Sequence, residues 1–175
     1  MKSLILILFS TLLFAKAPLS VKHVDPQKFS GLWYEIARTY NSYEKDCVAA
    51  TVEYTLQEDN KSYEVHNRCF DKVIGAKLIE YKGTAEATTP NAQNSIANLD
   101  MTYYYIFTQS YKIIYLEADY SLAIIVDDAM EQVWIMSRSP KISKEKLDTM
   151  LNKLKPYMKL EELIFTPQDI QGRYQ

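Results

Sequence analysis

The feature that most constrains the fold is a series of short segments, between residues 31 and 138, in which apolar and polar residues alternate. A period of two, in a region rich in Tyr, Val, Ile and Thr, is typical of β-strands with one buried face. Short turns separate the segments, so neighbouring strands are expected to pair antiparallel. The pattern predicts eight strands, at residues 31–41, 47–57, 62–70, 76–88, 94–101, 111–118, 121–127 and 131–138.

A single all-β domain follows from this pattern. Eight antiparallel strands either stack as a sandwich or close into a barrel, and alternation alone does not decide between them. A closed barrel has no sheet edges, and with eight strands its interior is filled by side chains or holds one small ligand. The segment 143–155 is predicted to be a helix, with Ser143 as its N-cap and Pro156 at its end. An apolar stripe should pack it onto the outside of the sheet, through Leu147, Met150, Leu151 and Leu154.

The N-terminus has the pattern of a secretory signal peptide. Lys2 precedes an apolar run at 4–14, and a small-x-small cleavage signal ends at Ala17. The run is too short to span a bilayer, although a membrane anchor is the alternative. We expect a signal peptide, 1–17, and one domain, 18–175, that is exported to the periplasm or secreted. A lipid-anchored envelope protein requires a Cys at the cleavage site, and this sequence has none there. A soluble exported protein is therefore favoured over one associated with the outer membrane.

Charge and cysteine content narrow the classes of function. Without the two lysines of the signal peptide, 18 basic residues stand against 22 acidic ones, a net charge of −4, which argues against a nucleic-acid partner. Cys47 and Cys69 flank one predicted hairpin, and an oxidising compartment permits a disulfide between them. Two free thiols are the alternative. With two histidines and no CxxC motif, neither a metal site nor a cofactor is expected.

Strand parity predicts which side chains face the interior. If Trp33 points inward, Glu35 and Ala37 point inward with it, whereas Ile36 and Arg38 point outward. A β-bulge would reverse the assignment for part of a strand. The fourth strand has small inward residues that either leave space for a ligand or pack closely against large side chains: Gly83, Ala85 and Ala87. The predicted wall of a ligand cavity consists of Val52, Tyr54, Tyr63, Val65, Tyr81, Leu99, Met101, Ile113, Tyr115, Ile124 and Trp134.

Three short motifs resemble the signatures of the lipocalin family and occur in the same order along the chain. The first is GLWYEIAR at 31–38, which is most similar to the bacterial and apolipoprotein D-like branch. The second is the turn 118–120, where the family usually has Thr in place of Ala118, and the third is 134–140. The resemblance implies an eight-stranded up-and-down antiparallel barrel, closed at its floor by Trp33 beneath Arg138. The motif residues then have structural roles: Gly31, Trp33, Tyr34, Asp119, Tyr120 and Arg138.

The resemblance also implies a function without catalytic residues. Lipocalins bind, store or transport small hydrophobic molecules in the barrel, such as fatty acids, lysophospholipids or similar lipids. Two alternatives stay open. A few lipocalin-like barrels are isomerases, which would need a free Cys or a His in the cavity. The aromatic stretch 102–107 would suit contact with a protein or a membrane, a lid over the ligand, or a longer strand. A monomer or a homodimer is expected.

Overall fold

The computed structural model describes residues 17–88 and 95–172. The predicted signal peptide, up to residue 16, lies outside these residues, as does the turn that Thr89, Pro90 and Asn91 predict between the fourth and fifth strands. The strands are β1 Gly31–Arg38, β2 Cys47–Leu56, β3 Ser62–Asp71, β4 Leu78–Ala87, β5 Asn98–Tyr103, β6 Phe107–Leu116, β7 Leu122–Val126, β8 Val133–Ser137 and β9 Ile164–Phe165. The helices are α1 Pro26–Phe29 and α2 Lys144–Leu154, and a single 3-10 turn spans Leu160–Glu162. No helix within these described residues is long and apolar enough to cross a membrane.

The first eight strands close into an antiparallel barrel, which confirms the predicted fold. Consecutive strands pair with each other throughout, and β1 pairs with both β2 and β8, so the ring is complete. Because the strands run up and down, the loops after β1, β3, β5 and β7 meet at one end, which we call the mouth. The loops after β2 and β6 lie at the other end, which we call the floor. The short strand β9 pairs antiparallel with the C-terminal end of β1, at Ala37 and Arg38.

One hairpin is longer than the sequence pattern suggests. β5 continues to Tyr103 and β6 already begins at Phe107, four residues before its predicted start. The chain reverses between them with Tyr104 and Tyr105 in the left-handed conformation, at φ of 52° and 62°. The stretch 102–107 therefore extends two strands and forms the tip of a hairpin at the mouth.

A bulge in β1 changes the predicted parity of that strand. The register between β1 and β8 shifts between Glu35 and Ala37. Ala37 consequently packs outside the barrel beside Ile36, and the prediction that it points inward is wrong. The prediction that Arg38 points outward is also wrong, because this side chain is only 2% exposed and pairs with Glu35.

Two apolar cores hold the fold together. One fills the floor half of the barrel interior and includes Phe29 and Trp33, both fully buried. The other lies between α2 and the outside of the barrel, where Met150 and Leu154 pack on β7, β8 and β1. The Ser143 Oγ accepts a hydrogen bond from the Lys146 backbone N–H at 3.2 Å, so the helix begins where its cap predicts. A strand that is apolar at every position, such as β7, is thus covered by the barrel interior on one face and by the core under α2 on the other.

The floor is plugged by a long-range pair. The Arg138 guanidinium lies 3.9 Å from the centroid of the Trp33 ring. It also donates hydrogen bonds to four backbone carbonyls, at Lys28, Phe29, Ser30 and Leu32, with distances of 2.8 to 2.9 Å. In the turn between β6 and β7, Asp119 accepts from the Ser121 backbone N–H at 2.9 Å. Tyr120 accepts from the Asp25 N–H at 2.9 Å, which ties that turn to α1.

Candidate functional site

A cavity of about 590 Å³ opens at the mouth of the barrel. Its volume lies in the range of pockets that hold small organic ligands. The apolar core in the floor half of the barrel, which we call the floor core, closes the cavity below. The side chains of the mouth loops surround its entrance. Twenty residues line it: Glu35, Tyr43, Glu44, Ala50, Thr51, Val52, Tyr54, Asn67, Tyr81, Met101, Tyr103, Tyr104, Ile106, Phe107, Thr108, Gln109, Tyr111, Ile125, Trp134 and Met136.

The predicted wall residues fall into three groups. Five line the cavity, namely Val52, Tyr54, Tyr81, Met101 and Trp134. Four face the barrel interior but belong to the floor core below the cavity, namely Tyr63, Val65, Leu99 and Ile113. The remaining two, Tyr115 and Ile124, lie on the outside of the barrel.

The two outside residues are corrections with separate causes. A bulge between Ile113 and Tyr115 shifts the register of β6 against β7, so Tyr115 faces α2. There Lys153 Nζ lies 5.0 Å from the centroid of its ring. Ile124 belongs to a strand buried at all five positions, so its sequence carries no alternation from which parity could be read. Its neighbour Ile125 is the residue that lines the cavity.

Sequence reasoning missed several lining residues. Strand parity identifies several of them, because Asn67, Tyr103 and Met136 each lie two positions after a predicted wall residue on the same strand. The residues of the loops carried no such signal. Tyr43 and Glu44 come from the loop after β1, where strand parity does not apply.

An acidic pair surrounds a buried guanidinium beside the cavity. Arg38 Nη1 donates to Glu35 Oε1 at 3.1 Å, and Arg38 Nε lies 3.7 Å from Glu44 Oε2. Thr166, from the C-terminal segment, donates a further hydrogen bond to Glu35. Burial raises the pKa of Glu35 to about 8, and the nearby Glu44 carboxylate adds to the rise, while Arg38 and Thr166 oppose it. Burial also raises the pKa of Glu44.

Tyrosine hydroxyls supply most of the other polar groups of the cavity. Asn67 Nδ2 donates to the Tyr103 hydroxyl at 2.8 Å. The hydroxyls of Tyr43 and Tyr111 both donate to Gln132 Oε1, at 2.7 and 2.9 Å. Burial raises the pKa of Tyr103 and Tyr111, so these hydroxyls stay neutral near neutral pH. The cavity is therefore an aromatic pocket with neutral hydrogen-bonding groups and one acidic corner.

Groups for nucleophilic chemistry do not converge on this cavity. Cys47 and Cys69 form a disulfide, which confirms the predicted pairing and leaves neither sulfur as a thiol. No histidine is among the lining residues in the part of the chain that the structure describes. Within the same residues, no group of His, Cys, Asp and Glu side chains could hold a metal ion.

The mouth exposes large apolar side chains around the cavity. Tyr105, at the tip of the β5–β6 hairpin, is 99% exposed, and its neighbours Tyr104, Ile106 and Phe107 are 64 to 74% exposed. Three more exposed apolar side chains lie on the loops after β1 and β3: Tyr40, Tyr43 and Val73. Tyr104, Ile106 and Phe107 also line the cavity, so the exposed surface and the cavity wall are continuous.

Comparison with known sequences points to one family. A family model described as a lipocalin-like domain matches residues 24–168. A protein of Acanthamoeba polyphaga mimivirus that carries the name of a lipocalin is 34% identical over 142 residues, which are 77% of this chain and 79% of that protein. The outer membrane lipoprotein Blc of Vibrio cholerae is 29% identical over 157 residues, which are 86% of this chain and 89% of that protein.

Comparison with solved structures gives the same architecture. Insecticyanin from the tobacco hornworm Manduca sexta superimposes with a TM-score of 0.68 at 19% identity, covering 86% of this chain and 84% of insecticyanin. The cockroach allergen Per a 4 superimposes with a TM-score of 0.66 at 21% identity, covering 92% of this chain and 99% of the allergen. At these identities the likeness concerns the fold alone.

Proposed function

Because the chain belongs to the lipocalin family, we propose that it binds a small hydrophobic ligand in the barrel cavity and stores or transports it. The observation that carries the proposal is the cavity of about 590 Å³, which lies at the mouth of the barrel and is lined mainly by aromatic and aliphatic side chains. An apolar chain placed there would gain roughly 0.8 kcal/mol for each methylene withdrawn from water. A lipid with one acyl chain, such as a fatty acid or a lysophospholipid, is the class of ligand that this cavity suits.

Native mass spectrometry of protein purified without detergent tests the proposal. We expect folded protein to carry an additional mass that organic extraction releases as a lipid. Delipidated protein should then bind single-chain lipids saturably, at one per barrel. Correctly folded protein that carries no additional mass and binds no member of a broad lipid panel would refute the proposal.

A binding protein is favoured over the isomerase alternative. A thiol mechanism would need a free cysteine, and both cysteines are joined in the disulfide. An imidazole mechanism would need a histidine in the cavity, whereas His66 lies on the outer surface, paired with Glu80 at 3.0 Å. Absence of turnover with isomerase substrates, in protein that binds lipid, is the expected result.

A second role, contact with a lipid bilayer, is favoured by the hairpin tip. Aromatic side chains concentrate at the boundary between the head groups and the acyl chains of a membrane. Tyr105 and Phe107 are exposed at the tip, and Phe107 also lines the cavity. A tip inserted in the bilayer would let an acyl chain pass into the barrel without crossing water.

Co-sedimentation with phosphatidylcholine vesicles tests this second role. The variant Tyr105→Ser should weaken vesicle binding and keep its affinity for a soluble single-chain lipid, because Tyr105 is exposed at the tip and does not line the cavity. Leu19→Ser is the matched control, because Leu19 is 91% exposed but belongs to no mouth loop. If the tip variant instead abolishes a dimer, and the native protein binds no vesicles, the tip contacts a second copy of the chain and the membrane role is wrong.

Export is the third part of the proposal. It is supported by the signal-peptide pattern of the sequence and by the disulfide, since disulfides persist in oxidising compartments. The Vibrio cholerae relative is named an outer membrane lipoprotein. N-terminal sequencing of the protein from the periplasm or the medium should begin near Pro18, whereas a start at Met1 would contradict export by this route.

A further inference from the structure

The lining of the cavity is acidic and lacks a basic side chain. Glu35 and Glu44 belong to it, and no Lys, Arg or His does among the residues that the structure describes. Arg38 pairs with both carboxylates but is only 2% exposed and is not part of the lining. A ligand head group in this cavity would therefore meet two carboxyl groups and would not reach the guanidinium.

The remainder of the lining presents aromatic rings. Eight of the twenty lining residues are Tyr, Trp or Phe. Trp134 connects the rings to the acidic corner, because its indole nitrogen donates to Glu44 Oε2 at 3.3 Å. Its ring also meets Tyr111 edge-on, with centroids 5.3 Å apart. Aromatic faces attract ammonium groups, and the attraction grows when both partners are withdrawn from water.

We propose that, among amphiphiles of equal chain length, the cavity selects an ammonium head group over a neutral one and a neutral one over a carboxylate. The inference rests on the proposed function and specifies the ligand class of the same cavity. An ammonium group would gain the aromatic faces and the Glu44 carboxylate together. A carboxylate would lose its hydration beside the carboxyl groups of Glu35 and Glu44, without an accessible counter-ion.

The tyrosine hydroxyls do not reverse this order. The hydroxyls of Tyr43 and Tyr111 are already directed to Gln132. A donor such as the Tyr103 hydroxyl can serve a neutral head group as well as an anionic one. Among single-chain lipids, the lining therefore disfavours free fatty acids and favours lipids with neutral or ammonium-bearing head groups.

The test compares three ligands that share a sixteen-carbon chain. Palmitate, 1-monopalmitoylglycerol and hexadecyltrimethylammonium are titrated below their micellar concentrations into delipidated protein. Displacement of a neutral fluorescent probe reports occupancy of the cavity, and calorimetry gives each dissociation constant. We expect the ammonium compound to bind at least about tenfold more tightly than palmitate, which corresponds to about 1.4 kcal/mol, with the glycerol ester between them.

Three variants assign the selectivity to the acidic corner. Glu44→Gln should reduce the ratio between ammonium and palmitate affinities several-fold. Glu35→Gln/Glu44→Gln removes both carboxyl groups beside Arg38 and should favour palmitate. Glu80→Gln is the matched control, because Glu80 lies on the outer surface and its side chain is 47% exposed. Circular dichroism verifies that each variant is folded. If the double variant does not fold, the comparison of Glu44→Gln with Glu80→Gln is sufficient to test the selectivity.

The outcomes separate this inference from the proposed function. Palmitate binding as tightly as the ammonium compound overturns the charge selection and leaves lipid binding intact. Equal loss of ammonium binding in Glu44→Gln and Glu80→Gln shows adsorption to the acidic surface and also overturns it. Failure of all three ligands to bind folded protein counts against the proposed function as well.

Discussion

Tyr103 on β5 lies directly over Gly83 on β4, its partner across the sheet. A Cβ atom at Gly83 would lie 2.8 Å from Tyr103 Cδ1 and 2.5 Å from the carbonyl oxygen of Thr102. The small residue at this position thus serves close packing and leaves no empty space. Since Tyr103 lines the cavity, the glycine sets the position of a cavity side chain.

Replacing Gly83 with Ala should therefore disturb both the sheet and the cavity. The added methyl group meets a backbone carbonyl that cannot turn away, so we expect the free energy of unfolding to fall by about 1–3 kcal/mol. Urea denaturation measures the change. Thr84→Ala, at the next position on the same strand, is the control with little effect. Equal stability of Gly83→Ala and the native protein would show that the strands separate easily at this point.

Two tyrosines on β6 provide a matched pair for the cavity wall. Tyr111 lines the cavity, whereas Tyr115 lies outside the barrel, beyond the bulge. Tyr111→Ala should weaken binding of a single-chain lipid by about tenfold or more, because it removes one aromatic wall. Tyr115→Ala should leave the dissociation constant unchanged and lower only the stability. The reverse order of effects, measured by calorimetry, would mean that the register of β6 is wrong.

Arg138 should matter for stability and not for ligand binding. Arg138→Lys loses the planar stacking on Trp33 and most of the hydrogen bonds to carbonyls around the floor. We expect the free energy of unfolding to fall by about 2–4 kcal/mol. Arg68→Lys, in the partly exposed ion pairs with Glu53 and Glu80, should cost less than about 1 kcal/mol. A changed ligand affinity in folded Arg138→Lys would contradict a purely structural role.

Glu35 should make stability depend on pH. Its pKa is about 8 in the native state and near 4.5 in the unfolded chain, so between these values the native state holds more protons. The free energy of unfolding should therefore fall as the pH rises from about 5 to about 8, by at most about 1.4 kcal/mol per pH unit, and then level off. Glu35→Gln should flatten the profile, although Glu44, whose pKa is also raised, contributes in the same direction. Parallel profiles for both proteins, in urea unfolding at several pH values, would exclude this role for Glu35.

The eight strands and the outer helix were predicted from alternation, turns and one amphipathic stripe, whereas the closed up-and-down barrel was predicted from the resemblance of three motifs to the lipocalin family. The first-strand Trp33 and the distant Arg138 meet as the family motifs imply. The cavity wall was predicted less well, for two physical reasons. Bulges in β1 and β6 change parity without a local sequence signal. The mouth loops contribute side chains such as Glu44, whose position depends on its tertiary contacts with Arg38 and Trp134.

A tryptophan reporter can show whether an apolar chain enters the barrel beside Trp134. The chain has two tryptophans, so Trp33→Phe leaves Trp134 as the only one, while Trp134→Phe leaves the one in the floor. Each folded, delipidated variant is titrated with 1-monopalmitoylglycerol and its fluorescence recorded. We expect a saturable change at one lipid per barrel in Trp33→Phe and almost none in Trp134→Phe. An equal response of the two variants, or no saturable response in Trp33→Phe, would contradict this expectation.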